Sequence, residues 1–282
     1  MTGMTGTVRR RRLAAELRRL REAARLTCDD VATRLDCSAS KISRIETGRV
    51  MASPRDVRDL LAIYGVPEDQ RGGLIQLARE SRQKGWWQAY GASVQPHLAT
   101  YFGLEQAASA MRVYKVSRVH GLAQTEEYAR AVFSAARVGQ VHPDTDRSVE
   151  LLMERQRQVS ASPAALWMVL DEAALRHQVG GPDVLRGQIE RLVELTSRPR
   201  TFVQVVPFSS GVRMSIDASF TIMEFPDPAD PDVVCVGYPT GLLWIEDLAE
   251  VRQYNALFAH LQAAALSLED SAALMASALK DL

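Results

Sequence analysis

The segment Ser38–Arg49, SASKISRIETGR, concentrates hydrogen-bonding groups on one side of a short helix. At about 100° per residue, Ile42 and Ile45 share one direction, while Ser40, Ser43, Arg44 and Thr47 spread over the other. Hydroxyls donate and accept at close range, and a guanidinium presents a planar fork of N–H donors. That set suits an extended polar edge, such as the base edges in a major groove or a row of phosphates. Glu46 falls beside the isoleucines, where a carboxylate needs a partner. Ser38 suits an N-cap, and Gly48 suits the left-handed residue that follows a helix.

The elements that must position this ridge are short helices. RRLAAELRRLREAARL places Leu13, Leu17 and Leu20 on one stripe. Thr27, with Asp30 three residues on, has the form of a capping box that opens a second helix containing Val31, Ala32 and Leu35. The turn LDCS then leads into the polar helix. Ser53–Pro54 pairs an N-cap with a first-turn proline and starts a helix through Val57, Leu60, Leu61 and Tyr64. Gly65 ends it, and Pro67 starts another, making five helices in all. The helical period breaks at GWWQAYGASVQPH, whose tryptophans read as packing for an inter-domain joint.

Charge divides at the same place. Residues 1–90 hold 18 Lys and Arg against 11 Asp and Glu, a balance of +7; residues 91–282 hold 16 against 23, a balance of −7. A basic first third and an acidic remainder suggest that only the first meets a polyanion. Arg9–Arg12 precedes or opens the first helix, and reads either as an arm along a phosphate backbone or in a minor groove, or as a solvated tail.

Beyond the break, EEYARAVFSAAR, DRSVELLMERQRQV, PDVLRGQIERLVELTSR and LAEVRQYNALFAHLQAAAL have helical periods. ALWMVLDE, TFVQVVPF, SFTIMEF, DVVCVG and LLWIED read as strands, the last three as an antiparallel meander. The expected architecture is α+β overall: an all-α five-helix domain, then a larger α+β domain with a mainly antiparallel sheet. The expected boundaries are a disordered tail over 1–8, a helical domain over 9–84, a linker over 85–98 and the α+β domain over 99–282.

Catalysis and metal binding find little support. Cys28, Cys37 and Cys235 have no C-x-x-C spacing, and His97, His120, His142, His177 and His260 have no local ligand spacing. Asp171 and Glu172 are adjacent carboxylates at a strand end, but adjacent strand residues point apart, and DEAALRHQ reads as helix capping. The sequence contains no nucleophile elbow, Walker loop or dinucleotide fingerprint. No enzyme activity, metal or cofactor is expected. No apolar run approaches the ~20 residues of a membrane span, and TVRRRR is not an apolar signal core. The expected place of action is the cytoplasm, at the nucleoid.

LTCDDVATRLDCSASKISRIETGR resembles the helix-turn-helix of the xenobiotic-response-element (XRE) family, related to the phage lambda and 434 repressors and Cro. The resemblance covers residues 9 to about 65 and implies a lambda-repressor-like fold. It implies that Ala39, Ser40 and Arg44 face base edges, and that Thr27, Lys41 and Ser43 meet backbone phosphates. It also implies that Glu46 pairs with Arg21 of the first helix, so both are assigned to a structural salt bridge. The turn position that the family often fills with glycine holds Asp36 here, a residue that tolerates positive φ.

Further on, GLEQAA, VHGLAQTEEYARAV, LDEAALRHQVGG, VQVVPFSSG, FTIMEFPDP and AALSLEDSAALM are similar to the WhiJ-like, antitoxin-like regulators of actinomycetes. That resemblance implies a transcription regulator whose C-terminal domain engages itself or a small partner protein encoded nearby. Double-stranded operator DNA and a homodimer are the partners implied. Departures fall at His120, where proline is expected, and at Cys235 and Gly237, where tyrosine and glutamate are usual. An alternative is a ligand-responsive repressor with a small-molecule pocket lined by Trp167, Phe220 and Trp244.

Overall fold

The computed structural model describes residues 6–82, 85–135, 144–211, 218–227, 230–238 and 240–282. The chain forms two compact units, Met1–Ala89 with Ala99–Ala107, and Tyr90–Leu98 with Ala108–Leu282.

In the first unit, α1 (Gly6–Ala23), α2 (Cys28–Arg34), α3 (Ala39–Glu46), α4 (Pro54–Ile63) and α5 (Glu68–Glu80) surround one apolar core. Leu13 and Leu17 of α1, Val31 of α2, Ile42 and Ile45 of α3, and Val57, Leu60 and Leu61 of α4 are all buried. Helices of 7 to 10 residues, as α2, α3 and α4 are, do not persist alone in water, so this shared core and their caps hold them. Thr27 and Ser53 each close a full capping box, with Asp30 and Asp56 respectively, and Pro54 occupies the first turn of α4. After α5 comes a 3-10 segment, Trp86–Ser93, then α6 (Pro96–Ala107). The Trp86 ring stacks on Phe102 at 5.3 Å.

The expected tail is only partly within the described residues. Residues 1–5 lie outside them, and α1 begins at Gly6. Arg9–Arg12 is therefore helical, and Arg9 pairs with Glu80 of α5 at 3.1 Å. A charge run continuous with the Leu13–Leu17 stripe joins the helix that the stripe stabilises, in line with a helical pattern that starts near Val8.

The second unit is built on a six-stranded mixed sheet, order β3-β2-β1-β4-β5-β6. Its strands are β1 (Ala110–Lys115), β2 (Ala165–Asp171), β3 (Thr201–Val206), β4 (Phe220–Glu224), β5 (Val233–Tyr238) and β6 (Gly241–Ile245). β1 and β2, and β2 and β3, pair in parallel; the β1–β4, β4–β5 and β5–β6 pairings are antiparallel, so the sheet is mainly antiparallel. Parallel neighbours need long crossovers. They are supplied by α7 (Glu126–Ala135) and α8 (Thr145–Ser160) between β1 and β2, and by α9 (Pro182–Thr196) between β2 and β3. α10 (Leu248–Ala264) buries Val251, Phe258 and Leu261 against Tyr114, Val169, Phe220, Ile222 and Val234 of the sheet. α11 (Leu268–Ala278) caps the β3 edge, where Ser271 Oγ accepts from the Val205 N–H at 3.0 Å.

The central strand β1 is the element that the sequence pattern did not suggest. Arg112 interrupts its apolar run, yet it is satisfied by a hydrogen bond to Asn255 and ion pairs with Glu224 and Asp232.

Candidate nucleic-acid interface

α2 and α3 are joined by the turn Leu35–Ser38. Asp36 adopts φ 49°, the left-handed conformation that the tight reversal requires. The Cys37 N–H then bonds to the Ala32 carbonyl at 3.0 Å, closing the end of α2. Ser38 accepts from the Lys41 N–H at 3.2 Å and starts α3. At the far end, Gly48 adopts φ 66° and the Val50 N–H bonds to the Arg44 carbonyl, turning the chain away.

This leaves one face of α3 buried and the other exposed. Ile42 is 0% and Ile45 3% accessible, whereas Ser40, Ser43, Arg44 and Thr47 are exposed. Arg44 Nε donates to the Ser40 carbonyl at 3.3 Å, which orients the side chain along the helix. No ion pair engages its guanidinium among the described residues. Thr47 donates to the Ser43 carbonyl at 2.8 Å. Ala39 is half-buried against the core, so it offers the outside no more than a methyl edge.

Two of the predicted phosphate-facing residues have internal partners. The Thr27 hydroxyl donates to Asp30 Oδ2 at 2.7 Å while accepting from the Asp30 N–H at 3.1 Å. Lys41 Nζ lies 2.9 Å from Asp56 Oδ1, and this hydrogen bond raises the ammonium pKa above its ordinary value. The Asp56 partner is a contact that α3 and α4 make only once folded, and nothing in the spacing of Lys41 announced it.

Behind the exposed face sits the ion pair that positions it. Arg21 Nε and Nη2 donate to the Glu46 carboxylate at 2.8–3.0 Å, with the two side chains 12% and 3% accessible. Arg21 Nη1 also donates to the Leu26 carbonyl at 2.7 Å, and the Tyr64 hydroxyl donates to Glu46 Oε1 at 3.1 Å. The sequence pattern marks Tyr64 only as an apolar position of its helix. Burial first, and the Glu46 charge second, push its phenol pKa well above the ordinary value and keep it a donor. The network links α1, α3 and α4, so it sets the tilt of the polar face.

The pocket expected from Trp167, Phe220 and Trp244 does not assemble. Trp244 pairs with Cys235, which pairs with Thr221, whereas Phe220 is the next residue along β4. Successive strand residues point to opposite faces, so Trp244 lies across the sheet from Phe220. Trp167 stacks on Phe202 at 4.5 Å and donates to Gln204. The two strand-end carboxylates act as structure: Asp171 accepts from the Ala173 N–H, and Glu172 accepts from the Phe208 N–H and Arg176. His142 lies outside the described residues, and among those described no three His, Cys, Asp or Glu gather into a metal site. No helix among them is long and apolar enough to cross a membrane.

A capped, core-braced helix with a hydroxyl and guanidinium ridge, set across a tight turn from its neighbour, defines a class: a DNA-binding regulator of the helix-turn-helix kind. Residues 12–74 match the family model described as a helix-turn-helix domain. Residues 98–277, more than half of the chain, match the model of a domain of unknown function (DUF5753), and the chain belongs to that family. No curated protein and no solved structure matches the chain.

Proposed function

We propose that the chain is a sequence-specific transcription regulator that reads an operator half-site with α3. The observation that carries this reading is the exposed Arg44 fork. It is flanked by Ser40 and Ser43 and stands on a helix whose other face is locked into the core by Ile42 and Ile45. Arg44, Ser40 and the Ala39 methyl are assigned to base edges, and Lys41, Ser43 and Thr27 to phosphates. Because the Thr27 hydroxyl and backbone N–H both donate to Asp30, its contribution falls to the Cys28 and Asp29 N–H groups that follow it in the first turn of α2. Arg21 and Glu46 hold the helix and do not touch DNA.

One such motif buries too little surface for tight, specific binding, so the regulator acts as a homodimer on paired half-sites about one helical turn apart. The second unit supplies dimerisation and engages a small partner protein encoded nearby, the antitoxin-like arrangement that its resemblance to WhiJ-like regulators implies. The protein works without catalysis, in the cytoplasm at the nucleoid.

Selecting duplexes from a random pool tests the reading: a consensus with paired half-sites supports it, and an unenriched pool overturns it. A second expectation concerns Lys41. Lys41→Ala should weaken binding to all sequences alike and reduce the slope of log K against log salt by about one. An unchanged slope would show that Lys41 remains with Asp56 in the complex and makes no phosphate contact.

A further inference from the structure

The two edges of the sheet are finished differently. At the β3 edge, the Val205 N–H donates to Ser271 Oγ at 3.0 Å and the Val205 carbonyl accepts from the Leu266 N–H at 2.9 Å. The opposite edge is β6, Gly-Leu-Leu-Trp-Ile, whose sheet neighbour is β5. Among the described residues, Gly241, Leu242, Leu243 and Ile245 make no backbone hydrogen bond beyond the sheet. Backbone N–H and C=O groups alternate in direction along an antiparallel strand, so about half of those on β6 face outward.

Exposed edge strands are ordinarily guarded by a lysine, a proline or a bulge. β6 carries no charge and no proline, and its residues pair with β5 without interruption, from Gly241 opposite Tyr238 to Ile245 opposite Val234. Directly opposed side chains share a face, so Leu243, Val236 and Tyr238 lie on the side of Ile245 and Val234, which α10 covers. That cover runs out toward the hairpin. Ile245 is 8% accessible, whereas Leu243 and Tyr238 are each 53% accessible. A Cβ added to Gly241 would lie 2.7 Å from the Tyr238 hydroxyl, so the tyrosine ring lies across β6 and extends the apolar face to the edge.

We infer that β6 pairs antiparallel with β6 of a second copy of this chain, joining two six-stranded sheets across a twofold axis at Leu243. Outward-facing backbone donors and acceptors select a strand as the occupant. The side chains and charges select a second copy. Centred at Leu243, the pairing sets Leu243 against its symmetry mate on one face and Leu242 against Trp244 on the other, apolar contacts on both sides. The acids that follow the strand, Glu246 and Asp247, then fall at opposite ends of the joined pair, with Glu246 across from Thr240, so no like charges meet. An axis shifted toward the acids would bring them together. The inference gives the homodimer proposed above its interface, and it rests on that reading for the dimer's use on paired half-sites. Self-association is measured without DNA, so failure of the operator reading leaves the interface standing.

The test uses the full chain without DNA. Sedimentation should show the parent as a dimer that dissociates on dilution. Leu243→Lys sets two ammonium groups opposite each other across the axis, so it should raise the dimer dissociation constant by about tenfold or more while the circular dichroism spectrum stays unchanged. A second variant reads proximity directly. With Cys28 and Cys37 replaced by serine and Cys235 buried, a short bismaleimide should join Leu243→Cys into covalent dimers and leave the exposed Leu268→Cys of α11 largely monomeric. The inference is overturned if the parent sediments as a monomer at about 100 μM, which would turn the edge over to a strand of another protein. It is equally overturned if Leu243→Lys dimerises as tightly as the parent, or if Leu268→Cys cross-links as readily as Leu243→Cys.

Discussion

Arg44→Ala should erase most of the discrimination between the selected operator and a scrambled duplex while leaving the protein folded. A guanidinium fork on guanine O6 and N7 is worth ~1–3 kcal/mol of base preference, a factor of about 5–150. Arg44 is exposed, and its internal tie is a single hydrogen bond to the Ser40 carbonyl, so its removal leaves the core of Ile42 and Ile45 intact. Non-specific affinity should fall far less, because phosphate contacts elsewhere survive. Arg44→Lys separates charge from shape. A lysine restores the cation without the fork, so it should recover overall affinity and little of the preference. Competition binding with the two duplexes reads all three outcomes. Unchanged preference in Arg44→Ala would remove this residue from base recognition.

Arg21→Ala should act in the opposite way, through stability. Its loss leaves the Glu46 carboxylate enclosed with, among the described residues, only the Tyr64 hydroxyl as a side-chain donor, and it also removes the side-chain donor to the Leu26 carbonyl. Removing one member of a buried, hydrogen-bonded pair costs about 3–5 kcal/mol. For a domain of this size that lowers the unfolding temperature by more than about 10 °C. Arg21→Met with Glu46→Leu together should be more stable than either single variant, since no uncompensated charge is then buried. A double variant no more stable than the singles would show that the pair does not act as a unit. Operator preference measured well below the melting range should survive Arg21→Ala better than Arg44→Ala.

Much of the first unit was legible because its physics is local. Ile42 and Ile45 share a helical face, Ser38, Thr27 and Ser53 are caps, and Asp36 takes the positive φ that its turn needs. Ala39, three residues before Ile42, falls about 60° from it on a helical wheel, which accounts for its half-buried state and weakens its standing as an outward group. What stayed hidden depends on contacts distant in sequence. The Lys41–Asp56 pair spans 15 residues and Tyr64–Glu46 spans 18, and no period encodes either.

In the second unit the meander β4-β5-β6 could be read from its β-branched and aromatic runs and the short turns between them. β1 escaped because Arg112 breaks its pattern, and its stability comes from two flanking strands and from Glu224, Asp232 and Asn255. Trp244 and Phe220 were grouped by residue type, whereas strand register decides which face each meets.

Hydrogen–deuterium exchange of the full chain, with and without a duplex taken from the selected pool, tests the central claim most directly. The account predicts new protection concentrated on residues 38–48 and on the first turn of α2. Protection confined to the α+β unit, with α3 exchanging as in the free protein, would contradict it.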